Sequence, residues 1–425
     1  LGPLADNGGP TLTHALLPGS FALDWGDTNL AVDVTNGNAP LTVDQRGAPF
    51  YRVFGRTVDI GAFEHQPFRT TSGGANAFLT GTAGNDAIVY DAEHQRVNIN
   101  GLAYPILPGT RLLTIDAGEG SDTVNVIGST ANDLVTADLR TQLVTFTHGR
   151  SPNGADARIV GAEVVVIDGN GGNDAATLQD SPGDDKFFAR PGSGFFVDLA
   201  RVLEVDLFRM NLHAQAGGGH NLARLFGSTG IDVLTAQAAT STLMGPGFAH
   251  SASGFDFVQV QGGVGTDTAT LTGSSGVDAL IARAGVAVLT TGGVNVQLDG
   301  FETINADGRG GSDFLRLIGS PGNDSLTAFP GSSQFVTNGY NYGFTSFERL
   351  TASVAGGGAD TAVLIDSVGD DLFVGSGDLA ELSGVGFFSR TTGFDVVRIR
   401  GVNGGTNTRR VSSINYQLIE QGTWV

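Results

Sequence analysis

Apolar and polar residues alternate along this chain in short runs, and glycine-rich segments separate the runs. In "GRGGSDFLRLIGSPGND", Leu315 and Leu317 flank Arg316, and a corner-like segment stands on each side of the run. Alternation with a period of two predicts a strand that turns one face towards a core. Gly, Asp and Asn between the runs predict tight turns. The pattern therefore predicts an all-β fold with many corners.

The corners recur with a period of 46 or 47 residues, apart from one step of 52. We call corners such as "GRGGSD" first loops and corners such as "GSPGND", eleven residues later, second loops. First loops end at Asp122, Asp174, Asn221, Asp267, Asp313, Asp360 and Asn407. Second loops end at Asp86, Asp133, Asp185, Asp232, Asp278, Asp324 and Asp371. An acidic landmark, as in "GFETINA", precedes five first loops by eleven or twelve residues, at Glu163, Asp256, Glu302, Glu348 and Asp395.

Each repeat thus contains three strand-plus-corner units, followed by about a dozen variable residues where a hairpin fits. A right-handed β-solenoid of about seven such repeats, with three faces and one extended corner, accepts this period. A seven-bladed β-propeller also accepts it and is the alternative. Successive strands end in the same corner chemistry, which favours the solenoid. We expect an N-terminal segment over 1–68, a repeat array over 69–407 and a C-terminal strand or cap over 408–425.

Composition narrows the classes of partner. The formal net charge of −20 predicts no nucleic-acid partner, because phosphates would be repelled. No run of about 18 apolar residues occurs, which predicts no insertion into a membrane.

Cysteine is absent, so stability must come from packing, hydrogen bonds or bound ions. The chain starts at Leu1 within ordinary-looking sequence, and we expect a processed piece of a longer precursor that is secreted or on the cell surface.

The glycine loops resemble the hemolysin-type calcium-binding repeats of RTX proteins, with the pattern G-G-x-G-x-D-x-U-x. "GGVGTDTAT", Gly262 to Thr270, and "AGEGSDTVN" carry the similarity. The resemblance implies calcium held between stacked coils by aspartate carboxylates and backbone carbonyls. The implied ligands are the aspartates of both loops: Asp86, Asp122, Asp133, Asp174, Asp185, Asp232, Asp267, Asp278, Asp313, Asp324, Asp360 and Asp371. The family repeats every nine residues, whereas the two loops here lie eleven apart. The alternative is that these side chains cap their own turns.

The first 66 residues carry a second similarity. "LADNGGPT" near the start, followed by "DQRG" and "DIGAFE", resembles the closing segment of large bacterial surface proteins with parallel β-helix domains. In that family the segment follows many helical coils. A segment this short makes a weak core by itself. We therefore expect it to lie on the solenoid of its own chain or of the next copy.

Chemical motifs point away from catalysis. The chain has no G-x-S-x-G elbow, no Walker loop and no zinc spacing among its seven histidines, so we predict that it is not an enzyme.

The main hypothesis is a structural subunit of a bacterial filament, fibre or surface layer that binds copies of itself head to tail. The alternatives are an adhesin that binds cell-surface glycans, with Tyr340 and Tyr342 as candidate contacts, and, more remotely, a polysaccharide lyase or hydrolase suggested by fold analogy.

Overall fold

A computed structural model of the chain is all-β, with 52% of residues in strands and 1% in helix. It describes residues 1–425 except 18–19, 49, 55–56, 72–73, 83, 150–153, 199, 207–209, 238 and 355. The strands form stacked parallel coils, a β-solenoid of about nine turns, which confirms the predicted fold class. The propeller alternative is wrong, because strands pair in parallel with strands of the neighbouring coils. No helix in the described part of the chain is long and apolar enough to cross a membrane.

The chain divides into two compact units. Unit 1 comprises Leu1–Ser181 and Gly192–Asn211, and unit 2 comprises Pro182–Pro191 and Leu212–Val425. The N-terminal part of unit 1 contains four two-residue strands and a single 3-10 turn at Thr28–Leu30. These strands are β1 (Leu4–Ala5), β2 (Thr13–His14), β3 (Val32–Asp33) and β4 (Ala39–Pro40).

The longer strands of unit 1 fall into two sheets with the orders β5-β6-β10-β14-β13-β12-β16 and β9-β8-β7-β11-β15-β19-β18. They are β5 (Phe68–Thr70), β6 (Asn76–Thr80), β7 (Ala87–Asp91), β8 (Arg96–Ile99), β9 (Leu102–Pro105), β10 (Leu112–Asp116), β11 (Thr123–Ile127), β12 (Leu134–Asp138), β13 (Leu143–Thr147), β14 (Asp156–Val160), β15 (Val164–Asp168), β16 (Asp174–Gln179), β18 (Ser193–Val197) and β19 (Val202–Asp206). Strand β20 covers Met210–Gln215.

Unit 2 also has two sheets. Sheet A has the order β24-β23-β22-β26-β30-β34-β33-β32-β36-β40-β42, and sheet B the order β17-β21-β25-β29-β28-β27-β31-β35-β39-β38-β37-β41. The strands are β17 (Lys186–Arg190), β21 (Leu222–Phe226), β22 (Val233–Gln237), β23 (Thr240–Gly245), β24 (Phe248–Ser253), β25 (Phe257–Gln261), β26 (Thr268–Thr272), β27 (Ala279–Arg283), β28 (Val286–Thr291), β29 (Val294–Asp299), β30 (Thr303–Asp307), β31 (Phe314–Ile318), β32 (Asp324–Phe329), β33 (Ser332–Thr337), β34 (Tyr340–Thr345), β35 (Arg349–Ser353), β36 (Thr361–Ile365), β37 (Leu372–Gly377), β38 (Leu379–Gly384), β39 (Phe387–Thr392), β40 (Val396–Gly401), β41 (Thr408–Ile414) and β42 (Gln417–Gly422).

One repeat of unit 2 has five strands. The landmark strand β30 lies in sheet A, the first loop leads to β31 in sheet B, and the second loop leads back to β32 in sheet A. The variable residues then form β33 and β34, which pair antiparallel beside β32, so the expected hairpin is present. Strands alternate between two sheets, whereas the sequence-based expectation had three faces. Each corner is therefore a crossing from one sheet to the other.

The core lies between the two sheets. Leu315 and Leu317 on β31 are buried, while Arg316 between them is exposed, as the alternation predicts. Leu315 pairs with Leu280 on β27 and Leu350 on β35, and all three are buried, so the apolar rows stack from coil to coil. Burial of these rows stabilises the stack by roughly 25 cal/mol for each Å² of apolar surface removed from water.

Candidate functional site: the aspartate ladders at the corners

At six of the second loops, the aspartate caps its own corner. The Asp278 carboxylate accepts hydrogen bonds from the Ser274 backbone N–H at 2.7 Å and the Ser274 hydroxyl at 3.0 Å. The same pair of bonds recurs at Thr82 and Asp86, Ser129 and Asp133, Ser228 and Asp232, Ser320 and Asp324, and Ser367 and Asp371. The calcium-repeat pattern has its second Gly four places before the Asp, where these second loops have Ser or Thr. This Ser or Thr satisfies the carboxylate.

Carboxylates also join successive coils. The Asp278 backbone N–H donates to Oδ1 of Asp313 at 2.8 Å, and the Asp313 N–H donates to Oε2 of Glu348 at 2.8 Å. Steps of 35 residues separate the members, so one ladder joins corners of three neighbouring coils. Equivalent three-member ladders are Asp86–Asp122–Glu163, Asp185–Asn221–Asp256, Asp232–Asp267–Glu302 and Asp324–Asp360–Asp395. Two-member contacts join Asp133 to Asp174 and Asp371 to Asn407.

The acidic landmarks are thus members of the ladders. Their recurrence is visible in the sequence, but their role as hydrogen-bond acceptors is not. Glu302, Glu348 and Asp395 each accept the N–H of a first-loop aspartate. The signal was their fixed distance before the next first loop. The linear spacing does not show that each of these landmarks accepts a hydrogen bond from the first loop of the preceding repeat.

Four first-loop aspartates keep one carboxylate oxygen without a hydrogen-bond partner in a buried position. These atoms are Oδ2 of Asp122, Asp174, Asp267 and Asp313. The residue four places earlier is not a serine or threonine here; it has a left-handed φ of 97° at Gly118, 58° at Asn170, 105° at Gly263 and 68° at Arg309. The first loop therefore lacks the hydroxyl donor that the second loop supplies. A buried acceptor without a donor carries a free-energy cost of about 1–3 kcal/mol.

Asn221 replaces the aspartate at the end of one first loop and shows which hydrogen bonds that position can make. Its Oδ1 accepts the Asp185 N–H at 2.8 Å, as an aspartate oxygen would, and its Nδ2 donates to the carbonyl oxygen of Gly218 at 2.6 Å. The atom that corresponds to the unpaired Oδ2 is here a donor. The first-loop position consequently suits a donor, and an aspartate meets that need only with a proton or a cation.

Burial raises the pKa of the first-loop aspartates. The pKa of Asp174 rises from 3.8 to about 6 because burial penalises the charged carboxylate, and nearby Asp133 and Asp168 act in the same direction. Burial likewise raises the pKa of Asp122, Asp267, Asp313 and Asp360, although the backbone N–H of the neighbouring aspartate opposes the shift. Proton binding is therefore easier at first loops than at an exposed aspartate.

Calcium binding stays a prediction. Of the predicted ligands, second-loop aspartates direct their oxygens to donors within the corner, and first-loop aspartates contribute one unpaired oxygen each at four corners. Among the described residues, no three His, Cys, Asp or Glu side chains lie together in a group that could hold a metal ion. Calcium prefers six to eight oxygen ligands, so backbone carbonyls would have to supply most of them.

Glycine at the start of a corner is required by close approach. A Cβ at Gly308 would lie 2.7 Å from Oδ2 of Asp313 and would clash with the carbonyl oxygen of Ser346 in the next coil. At Gly227 an added Cβ would clash with the carbonyl oxygen of Gly262. Gly310, in contrast, has nothing within 4 Å of its Cβ position. The corner glycines thus differ in role although the sequence makes them look equivalent.

The N-terminal motifs meet at one buried arginine. The Arg46 guanidinium pairs with the Asp44 carboxylate at 2.7 Å, donates to the Glu64 carbonyl at 2.6 Å, and donates to the Asn7 carbonyl at 3.2 Å. Phe50 and Phe63 flank it, with ring centroids 3.8 Å and 4.0 Å away. Asn7, Arg46 and Glu64 come from "LADNGGPT", "DQRG" and "DIGAFE", so these three motifs build a single structural centre.

The segment that contains this centre is part of unit 1 and packs against strands of its own chain, one of the two expected arrangements. Tyr51 contacts Tyr104 of β9 with ring centroids 6.3 Å apart, and Tyr104 stacks on Phe68 at 5.1 Å. Tyr104 and Phe68 are fully buried. The segment therefore supplies part of the core at β5 and β9.

The tyrosines suggested as glycan contacts do not both face solvent. Tyr342 is fully buried; its hydroxyl donates to the Arg283 carbonyl at 3.0 Å and accepts from the Gly285 N–H at 3.0 Å. Tyr342 therefore cannot contact a glycan, and that expectation is wrong for this residue. The alternation of "GYNYGF" places Tyr342 on the inner face and Gly343 on the outer face of β34.

No family model matches the chain. No curated protein matches it either.

Proposed function

We propose that this chain is a non-enzymatic extracellular structural protein that assembles head to tail with copies of itself. The observation that carries the proposal is the distribution of exposed apolar side chains. Of 28 such large side chains among the described residues, twelve lie within the first 60 residues. Phe21 and Trp25 are 89% and 73% exposed, and Leu30 and Val34 are exposed to a similar extent. Their concentration in one short segment favours an apolar surface that another molecule covers.

Backbone contacts hold part of this apolar surface in place. The Ile60 N–H donates to the Ala22 carbonyl at 2.9 Å, and the Gly26 N–H donates to the Val58 carbonyl at 2.7 Å. Asp24 and Asp59 add a further bond, from the Asp24 N–H to Oδ1 of Asp59 at 2.8 Å. Phe21, Trp25 and Ile60 are therefore presented by connected backbone, which lowers the entropic cost of docking.

The charge distribution supports a second copy of this chain as the docking partner. Residues 1–67 contain seven Asp or Glu against three Arg, whereas residues 396–425 contain four Arg against one Glu. Arg398, Arg400 and Arg410 are exposed on the last strands of unit 2, beside exposed Val402 and Val411. In a chain of net charge −20, this basic coil complements the acidic N-terminal segment. The interface is heterologous, and such an interface propagates into an open polymer when its rotation does not close a ring.

The contacts at strand β41 favour docking between copies through side chains over docking by addition of a strand. The free edge of β41 is partly occupied, because the Arg409 N–H donates to the Val425 carbonyl at 2.7 Å. Arg409 also pairs with Glu420 at 2.5 Å. Charged groups at such an edge oppose pairing with a foreign strand. These contacts at β41 and β42 favour a face-to-face contact with the apolar N-terminal surface.

The test is assembly of the full chain, measured by light scattering and electron microscopy. We expect concentration-dependent linear polymers that shorten at high salt, because screening weakens the charge complementarity. The Phe21→Ser/Trp25→Ser variant should be monomeric. Its matched control, Val264→Ser/Val277→Ser, removes two apolar side chains that are 70% and 65% exposed at corners of unit 2, and it should assemble like the wild type.

A second pair of variants addresses charge. Arg398→Glu/Arg410→Glu should weaken assembly at least tenfold, whereas Arg224→Glu/Arg316→Glu, on earlier strands of sheet B, should not. A wild-type chain that stays monomeric at all accessible concentrations overturns the proposal. Polymers that persist in the Phe21→Ser/Trp25→Ser variant leave assembly intact but exclude this surface.

A further inference from the structure

We propose that a groove on the outer face of sheet A binds a neutral polysaccharide chain, a function separate from assembly. The groove has a volume of about 600 Å³ and lies within unit 2. Gly343 on β34 is at its floor, and strands β26, β30, β33 and β32 form the remaining floor and walls. Tyr340 is not part of its lining.

The strand register builds the groove from one row of outward-facing residues. Thr270 pairs with Asn305, and Asn305 with Gly343. Gly343 pairs in turn with Gln334, and Gln334 with Thr327. The row therefore reads hydroxyl, amide, no side chain, amide, hydroxyl across five adjacent strands. The missing side chain at Gly343 opens a notch between the two amides.

The two amides are available to a ligand. Within the described part of the chain, neither the Asn305 nor the Gln334 side chain hydrogen-bonds with another residue of the groove, and both residues are exposed. Each amide offers donors and an acceptor, which suits vicinal hydroxyl groups that both donate and accept. Thr270 and Thr327 add hydroxyl groups on either side.

Charge and aromatic content define the ligand further. Asp307 is the one charged residue among the lining residues, and its carboxylate accepts the Arg309 N–H at 2.9 Å. That bond lowers the pKa of Asp307 below its usual value of 3.8, so a negative charge persists beside the groove and opposes anionic ligands. Phe329, 44% exposed, supplies an apolar ring face. Hydroxyl groups with one apolar face describe a neutral pyranose.

The repeat of the sheet fits a polymer. Neighbouring strands are roughly 5 Å apart, about the length of one pyranose ring, so a chain lying across the strands presents about one sugar to each strand. The row from Thr270 to Thr327 covers five strands. We therefore expect an oligosaccharide of four to six sugars to occupy the groove, by the same strand spacing.

The test is isothermal titration of the full chain with maltohexaose, cellohexaose and mannohexaose, with hexagalacturonate as the anionic comparator. We expect at least one neutral hexasaccharide to bind and hexagalacturonate to bind at least tenfold more weakly. Gly343→Val should raise the Kd at least tenfold. The new Cβ meets only Oδ1 of Asn305, at 3.0 Å, and a β-branched residue suits a strand, so the fold should persist.

Two further variants keep the test decisive. Asn305→Ala/Gln334→Ala should reproduce the loss of binding without any added bulk. Val336→Ser is the matched control, because Val336 is exposed on the same strand as Gln334 but outside the groove, and it should bind like the wild type. Absence of binding to every neutral hexasaccharide, preference for hexagalacturonate, or unchanged binding by Gly343→Val each overturns the proposal.

Discussion

The backbone N–H of Asp278 donates to Oδ1 of Asp313, 35 residues further along the chain, at 2.8 Å. Both residues are fully buried, and they occupy corners of adjacent coils. The same contact in other ladders holds the stack in register at the corners, where the backbone leaves the sheet ladder. Two chemically identical side chains thereby acquire different environments, which leads to opposite predictions for the same substitution.

Asp313→Asn should stabilise the protein by about 1 kcal/mol, the usual net value of a hydrogen bond. The amide keeps an oxygen for the Asp278 N–H and gains a donor for the corner carbonyl, as Asn221 does with Gly218. Chemical denaturation with a chelator present measures the change. Asp278→Asn is the matched comparison and should destabilise by about 1–3 kcal/mol, because it directs a donor at the donors of Ser274. Equal destabilisation by both variants would contradict this account of the first loop.

Stability should depend on pH through Asp174. Its pKa is about 6 in the folded state against an ordinary 3.8, so the folded protein retains a proton that the unfolded chain releases between these values. The unfolded state binds fewer protons in this window, and stability therefore falls as pH rises through it. Melting temperatures from pH 3.5 to 7 should show a smaller decline for Asp174→Asn than for the wild type. Parallel curves for the two proteins would show that Asp174 does not titrate in this way.

Gly227→Ala and Gly310→Ala should differ although both change a corner glycine of unit 2. At Gly227 the methyl group clashes with the Gly262 carbonyl, and the coils must separate, which we expect to cost about 2–4 kcal/mol. At Gly310 the space is open, and alanine should be neutral or stabilise by up to about 1 kcal/mol through the unfolded state. Denaturation midpoints measure both, and similar midpoints would refute the close approach at Gly227.

Arg46→Lys should loosen the N-terminal segment. Lysine keeps the charge but loses the forked contact with Asp44 and the stacking between Phe50 and Phe63. Removing one partner of a buried ion pair usually costs about 3–5 kcal/mol, and because lysine keeps the charge we expect a smaller loss. Limited proteolysis should then cut within 1–67 much faster than in the wild type. Arg140→Lys is the control, since its pair with Asp138 is exposed and the change should be within about 0.5 kcal/mol.

Calcium should raise the melting temperature if the ladders bind it. Ligand binding to the folded state alone stabilises by about 2.7 kcal/mol at a concentration one hundred times Kd. The measurement compares melting in calcium and in chelator, for the wild type and for Asp267→Asn/Asp313→Asn. A calcium shift that disappears in the double variant locates the ion at the first loops. Identical melting with calcium and chelator would leave hydrogen bonding as the sole role of these aspartates.

Much of the fold was visible in the sequence. The two loops, their offset of eleven residues and the hairpin in the variable stretch all appear in the structure, because strand alternation and corner glycines are local signals. The number of faces was not visible. Alternation in "FLRLI" shows that one face is buried, but it does not tell whether the next strand joins a second sheet or a third.

The candidate site was only half predictable. The first-loop "GRGGSD" and the second-loop "GSPGND" look like the same corner, yet Arg309 stands where Ser320 stands in the other. The residue at this position decides whether the aspartate carboxylate is satisfied within its own loop. Partners 35 residues away, such as Glu348 for Asp313, depend on how coils stack and could not be inferred from spacing alone.

The three-stranded hairpin units of unit 2 change sheet from one repeat to the next: β22–β24 and β32–β34 lie in sheet A, and β27–β29 and β37–β39 lie in sheet B. A surface feature copied once per repeat would consequently be displayed on alternating sides of the stack. An array that faces one way must instead be duplicated two repeats at a time. Gene duplication in steps of about 93 residues, the distance from Asp267 to Asp360, is therefore the step that would multiply the Gly343 groove along a single side.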